Sequence, residues 1–266
     1  MTAEDPVAGW LAARSSGTAV LLDGFHAVKH ALRFGASVVS AVTAGRAAAL
    51  ALATELAPDL VPALDRLLVE VDPATFGRLA GDTGRPGRAV GVGGAAGAGG
   101  VGHHTGVAAL ARRAPWSLDR LAGAGRGAPL IFLDGPRHPG NYGAVVRVAA
   151  GLGASGVVST GTIDPWHPAV VRGAAGLQYA VPVLRVESAA ALAGPLVALD
   201  AAGRDAREHT MPDNAILAFG SERHGLSPQL KSRADVMLAL PMRQGVASYN
   251  LASAVAMVLY QWLLSR

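Results

Sequence analysis

Leu130-Ile131-Phe132-Leu133-Asp134-Gly135-Pro136-Arg137-His138-Pro139-Gly140-Asn141-Tyr142-Gly143 decides how the second half of the chain is read. An unbroken apolar run closed by turn residues suits a strand buried on both faces. The glycines and prolines end that strand. A helical pattern then runs over 142–152, with Arg147 on its second turn. The same alternation continues downstream. Strands are predicted at 130–134, 156–160, 180–186, 196–200, 215–219 and 236–240, and helices at 142–152, 166–175, 188–193 and 249–264. Apolar strands separated by helices predict an α/β fold with a mostly parallel sheet covered on both faces. Ligands bind such sheets beyond the carboxyl ends of the strands. The loops leaving 130–134, 215–219 and 236–240 are therefore where a site is expected.

Upstream, the pattern is also α/β but smaller. Strands are predicted at 20–22, 38–42, 67–71 and 107–111, and helices at 24–32, 45–57 and 73–80, the last begun by Pro73. Residues 84–106 hold ten glycines. Without bulky apolar groups such a segment cannot offset its ordering entropy, so it reads as a flexible surface loop. A phosphate cradle would need a following Lys-Ser/Thr and a helix start, and neither is present. Residues 115–129, with Pro115, Gly123, Gly125, Gly127 and Pro129, read as a linker. The expected organisation is thus an α/β domain over 1–114, a linker over 115–129 and a second domain over 130–266.

Composition narrows the chemistry. The 266 residues, 51% hydrophobic and 16% charged, suit a globular protein of one or two domains. Cysteine is absent, which excludes disulfides, a thiol nucleophile and cysteine-held metal. The start, Thr2-Ala3-Glu4-Asp5-Pro6, is not that of a secretory signal, and no stretch reads as a membrane span; a cytoplasmic location is expected. Net charge is +4, and only Lys29 and Lys231 of the 23 basic residues are lysines. Arginine suits phosphate contact; it also suits a GC-rich genome. His26 and His30 lie one helical turn apart, but no third ligand is near, so no metal is expected.

Two further loops complete the candidate site. One is Phe219-Gly220-Ser221-Glu222-Arg223-His224-Gly225-Leu226-Ser227. The other, Leu240-Pro241-Met242-Arg243-Gln244-Gly245-Val246-Ala247-Ser248-Tyr249-Asn250-Leu251, opens the terminal helix. Singly, each has an ordinary reading: glycines permit turns, Ser248 and Asn250 cap a helix, and Arg147 is a surface residue with a buried stem. None matches the dinucleotide fingerprint or the P-loop.

Together, the three loops resemble the signature motifs of the TrmH/SpoU branch of the SPOUT methyltransferases. Pro139-Gly140-Asn141 with Arg147 matches the first motif. Gly220, Glu222, Gly225 and Leu226 match the second, Gly-x-Glu-x-x-Gly-Leu. Leu240-Pro241-Met242 with Ser248, Asn250 and Ser253 matches the third. Asp164-Pro165 and Arg172 match an arginine-bearing helix between the first two. The resemblance covers 130–266. More loosely, Leu22-Asp23-Gly24-Phe25-His26 with Ala31-Leu32, and the strand from Thr105, resemble the ribosomal-protein-like RNA-binding domain that many of these enzymes carry. Tyr249, His138 and Ala174 depart from the usual leucine, aspartate and serine.

The resemblance implies a knotted, dimeric enzyme that moves a methyl group from S-adenosylmethionine to an RNA ribose 2′-hydroxyl. It implies catalytic roles for Arg147, Asn141, Glu222, Ser248 and Asn250. Cofactor binding falls to Gly220, Leu240, Met242, Ser248, Tyr249 and Asn250, RNA binding to Arg147 and Arg172, and no metal is used. The added N-terminal domain points to large-subunit rRNA; a tRNA guanosine stays an alternative, as does a non-catalytic RNA-binding protein on the same fold. Arginine is almost never deprotonated, so Arg147 is expected to act together with an RNA phosphate. The terminal helix suits a dimer face or ordinary core.

Overall fold

The computed structural model describes residues 6–80 and 106–266, which form two compact units, Met1–Arg113 and Ala114–Arg266. The glycine-rich segment lies outside the described residues, apart from Gly106.

The first unit contains α1 (Pro6–Ser15), β1 (Ala19–Asp23), α2 (Phe25–Arg33), β2 (Val38–Thr43), α3 (Arg46–Leu56), α4 (Val61–Leu67), β3 (Leu68–Glu70), α5 (Pro73–Ala80) and β4 (Val107–Arg112). The sheet order is β1-β4-β2-β3, with β4 antiparallel to both β1 and β2, and β2 parallel to β3. Val107 to Ala111 are all buried, as a central strand covered on both faces requires. Helix α1 was not expected from the sequence, because its apolar face is weak. Trp10 nevertheless anchors it in the core with Leu21, Val42, Leu79 and Leu110.

The second unit contains α6 (Asp119–Ala122), β5 (Leu130–Asp134), α7 (Pro139–Gly151), β6 (Gly156–Ser159), α8 (Pro168–Gly173), β7 (Val183–Arg185), β8 (Leu196–Asp205), β9 (Ile216–Gly220), α9 (Pro228–Arg233), β10 (Val236–Ala239) and α10 (Leu251–Leu264). Six parallel strands run in the order β10-β8-β9-β5-β6-β7. This is the expected parallel α/β sheet. The runs Leu130–Leu133 and Ile216–Phe219 are buried in the two central strands, β5 and β9. Helix α7 packs against both α8 and α10.

Several boundaries differ from the sequence reading. Helix α7 starts at Pro139 rather than 142, since proline needs no intrahelical N–H partner in the first turn. Asn141 therefore sits on the helix, not in the loop before it. The predicted helix 188–193 is a single 3-10 turn, Ala189–Ala191, capped by the Ser188 hydroxyl. The strand predicted at 180–186 is only β7, because a 3-10 turn, Leu177–Tyr179, precedes it. Strand β8 runs longer than expected, with a break in register. Val197 and Ala198 pair with Val236 and Met237, whereas Leu238 and Ala239 pair with Arg204 and Asp205. Residues 199–203 have no partner on β10 between these pairs, while Leu199 still pairs with Phe219 of β9.

The stretch 115–129 does not behave as a linker; it is built into the second unit. Helix α6 buries Leu121 against Leu130 and Phe132. The buried Arg126 guanidinium donates to the carbonyls of Leu121 at 2.7 Å, Gly123 at 2.5 Å, Ala193 at 2.8 Å and Asn214 at 2.6 Å. Burial lowers its pKa from the usual arginine value. The several donors of one arginine thus tie two carbonyls of the stretch, Leu121 and Gly123, to two from elsewhere in the unit. Among the described residues, no helix is long and apolar enough to cross a membrane.

Candidate functional site

A cavity of about 460 Å³ opens beyond the carboxyl ends of β9 and β10, against residues 199–201 of β8 and beside the first turns of α7 and α10. Its size is that of a small-molecule pocket. Asn141 lines it from α7, Gly220 from the end of β9 and Glu222 from the loop that follows. Leu240, Met242, Ser248, Tyr249 and Asn250 line it from the loop after β10. The three motif loops, separated by up to about a hundred residues in sequence, thus meet at one place.

A directional hydrogen-bond chain ties them together. The Ala252 N–H donates to Asn250 Oδ1 at 3.0 Å, which makes Asn250 the N-cap of α10. Asn250 Nδ2 donates to Asn141 Oδ1 at 3.1 Å, and Asn141 Nδ2 donates to Glu222 Oε1 at 2.9 Å. The other Glu222 oxygen accepts from the Arg137 N–H at 3.3 Å. An ionised carboxylate only accepts, so each amide upstream has one workable orientation. Burial raises the Glu222 pKa. The Asn141 amide, the N–H groups of Glu222 and Arg137 and the nearby His138 together outweigh it and hold the carboxyl below its ordinary value.

Close backbone contacts shape the second loop. Ser221 and Gly225 exchange N–H to carbonyl bonds, 3.0 Å in each direction, folding the loop back over Gly220. A Cβ on Gly220 would collide with the backbone of Gly225 and Leu226. Gly225 has φ +64°, which glycine adopts without strain. Asp134, at the end of β5, accepts from the Ser227 N–H at 2.7 Å and from the Thr160 hydroxyl at 3.2 Å. It fixes where that loop leaves the sheet, a role the sequence reading did not assign.

Not every expected residue lies at the cavity. Arg147 and Arg172 are exposed and do not line it. Arg147 lies one turn beyond Gly143 on α7, where a Cβ would meet the Val170 carbonyl and the backbone of Gly173 and Ala174. The glycines thus let α7 approach α8, the helix that carries Arg172. Asn250, rather than Ser248, caps the terminal helix. The Tyr249 hydroxyl donates to the Pro241 carbonyl at 2.8 Å, closing the third loop on itself. Leu199, Asp200 and Ala201 also line the cavity, from within β8, where the sequence reading placed no site residue. Among the described residues, no cluster of histidines and carboxylates is placed to hold a metal.

Residues 128–260 match the SpoU rRNA Methylase family. The 23S rRNA (uridine(2479)-2′-O)-methyltransferase of Streptomyces viridochromogenes is 29% identical over 145 residues, 49% of this chain and 50% of that protein. The 23S rRNA (guanosine-2′-O-)-methyltransferase RlmB of Acinetobacter baylyi is 28% identical over 177 residues, 61% of this chain and 71% of that protein. The chain spans about half the length of curated relatives such as the first of these. The crystal structure of the SpoU methyltransferase AviRb from Streptomyces viridochromogenes with AdoMet superposes with a TM-score of 0.71 at 21% identity, covering 97% of each chain. That of an RNA 2′-O ribose methyltransferase gives 0.72 at 24% identity, covering 100% of this chain and 97% of the other. At these identities the structural likeness is one of fold. The family match spans half of the chain and includes the three loops that build the cavity, and the chain belongs to the SpoU rRNA methylase family.

Proposed function

We propose that this protein is an S-adenosylmethionine-dependent methyltransferase acting on a ribose 2′-hydroxyl of large-subunit rRNA. The observation that carries the reading is the Asn250–Asn141–Glu222 chain, which joins three motif loops around one cavity. The rRNA substrate is supported by relatives named as 23S rRNA 2′-O-methyltransferases.

The cavity suits the cofactor. A nucleoside with an amino-acid tail needs an apolar slot with few polar contacts. Leu199, Phe219, Leu238 and Leu240 offer the slot, and Ser248 and Asn250 the polar atoms. In this reading Gly220, Leu240, Met242 and Tyr249 hold the adenosine, while Asn141 and Glu222 keep the loops in register. S-adenosylmethionine supplies an electrophilic methyl group on a sulfonium.

The chain's own task is to make a ribose hydroxyl nucleophilic and hold it in line. Arg147 stays protonated, since an arginine pKa lies above about 12. In our reading its guanidinium pins an RNA phosphate and stabilises the developing oxyanion, while a phosphate oxygen takes the hydroxyl proton. Arg172 adds a second phosphate contact. The first unit serves as the RNA-binding domain, and the protein works in the cytoplasm with its RNA. A homodimer is supported by an exposed apolar stripe on α10, Met257, Tyr260 and Leu264, at helical spacing. The resemblance also carries a knotted path, to which we assign the last strands and α10.

The test is to incubate the protein with labelled S-adenosylmethionine and unmodified 23S rRNA, 16S rRNA or tRNA. Label is expected in 23S rRNA. Label confined to tRNA would overturn the substrate, and failure to bind the cofactor would overturn the activity.

A further inference from the structure

The excursion of β8 brings a second carboxylate to the cavity. Residues 199–203 leave the ladder with β10, and Gly203 marks the return, where a Cβ would meet the Met237 and Leu238 backbone at 2.5–2.6 Å. Asp200 lines the cavity from this bulge. Its side chain is only 16% exposed and is held from two directions. The Ala202 N–H donates to Oδ1 at 3.0 Å, and Lys231 Nζ lies 2.6 Å from Oδ2. Lys231 belongs to α9, directly after the loop that carries Glu222, so the ion pair fastens the bulge to that loop.

A fixed, ionised carboxylate at a nucleoside pocket selects ligands that present donors. Each of its oxygens can accept twice, so one acceptor direction per oxygen stays open after the bonds to Ala202 and Lys231. Glu222 already accepts within the loop framework, from Asn141 and the Arg137 N–H. A carboxylate is the group that takes ribose hydroxyls in dinucleotide-binding α/β folds, and Asp200 offers the same acceptor chemistry here from within β8. Asp200 stands where β8 leaves the ladder on the cavity side of the sheet. We infer that Asp200 reads the vicinal ribose hydroxyls of the cofactor and makes the site selective for a ribonucleoside methyl donor, with Lys231 as its positioning residue. The inference rests on the cofactor reading above.

The test is isothermal titration of the full chain with S-adenosylhomocysteine, its 2′-deoxy and 3′-deoxy forms, and a form lacking the purine amine. The unsubstituted protein is expected to bind at least one deoxy form about tenfold or more weakly, the loss typical of a charged hydrogen bond. Asp200→Asn keeps an acceptor for Ala202. It is expected to bind the parent ligand nearly as weakly as the deoxy form and so to lose discrimination. Lys231→Met is expected to reduce discrimination in part. Equal binding of the deoxy forms, retained discrimination in Asp200→Asn, or a loss confined to the form lacking the amine would overturn the inference. The comparison of ligands on the unsubstituted protein decides even if a variant fails to fold. Absence of any binding would instead overturn the cofactor reading itself.

Discussion

Asn250 Nδ2 donates to Asn141 Oδ1 at 3.1 Å, joining residues 109 positions apart in sequence. One amide caps the terminal helix, and the other sits in the first turn of α7. Through Asn141 the contact reaches Glu222, so the cavity has one polar framework shared by its three loops.

Asn141→Ala removes the middle of that framework. Asn250 loses its acceptor and Glu222 its side-chain donor. The expected cost is about 1–3 kcal/mol of stability, as for part-buried polar groups left unpaired. Cofactor affinity is expected to fall about tenfold or more. Asn141→Asp should be worse, because it sets a second carboxylate against Glu222. Urea midpoints and cofactor titrations check both; unchanged values would remove the framework from the account.

The depressed Glu222 carboxyl sets a pH dependence. Its folded pKa lies below the unfolded one, so its contribution to stability is fully present above about pH 5. That contribution is lost as pH falls through the folded value. Urea midpoints of the wild-type protein and Glu222→Gln should differ at pH 7 and converge in acid. A difference that holds constant down to pH 3 would contradict this.

Gly220→Ala is expected to lower stability by about 1–3 kcal/mol or more, because the new Cβ meets fixed backbone of Gly225 and Leu226 rather than a side chain that can turn away. Gly140→Ala is the control. It lies in the first turn of α7 next to Asn141, but nothing stands within 4 Å of its Cβ, and a helical alanine is favoured over glycine. Thermal melts of the two variants should diverge, with Gly140→Ala at or above the wild type.

Much of this was legible in the sequence. The apolar runs of β5 and β9 predict central parallel strands, and the three loops predict where the cavity forms. The start of α7 was missed because Pro139 was read as a breaker, whereas proline suits a helical first turn. Arg126 was hidden in a glycine-rich stretch, and its bonds to the distant Ala193 and Asn214 carbonyls leave no local pattern. Asp200 was hidden because the bulge that presents it depends on the register between β8 and β10, which no local pattern encodes. Asn141, Glu222 and Asn250 were each visible as motif residues, but not the bonds between them.

Arg147→Ala separates chemistry from binding. The side chain is exposed and outside the cavity, so cofactor affinity should stay within about twofold, while turnover falls by about a thousandfold or more through loss of oxyanion stabilisation. Single-turnover rates and cofactor titrations read the two effects apart. Equal loss of both would contradict the assigned role.

The most direct test is where the transferred methyl group ends up on the RNA. Labelled 23S rRNA, methylated by the protein, is digested with alkali, which needs a free 2′-hydroxyl to cleave the adjoining phosphodiester. Label recovered in one alkali-resistant dinucleotide is the expected result. Label recovered in mononucleotides would place the methyl on a base and contradict ribose methylation.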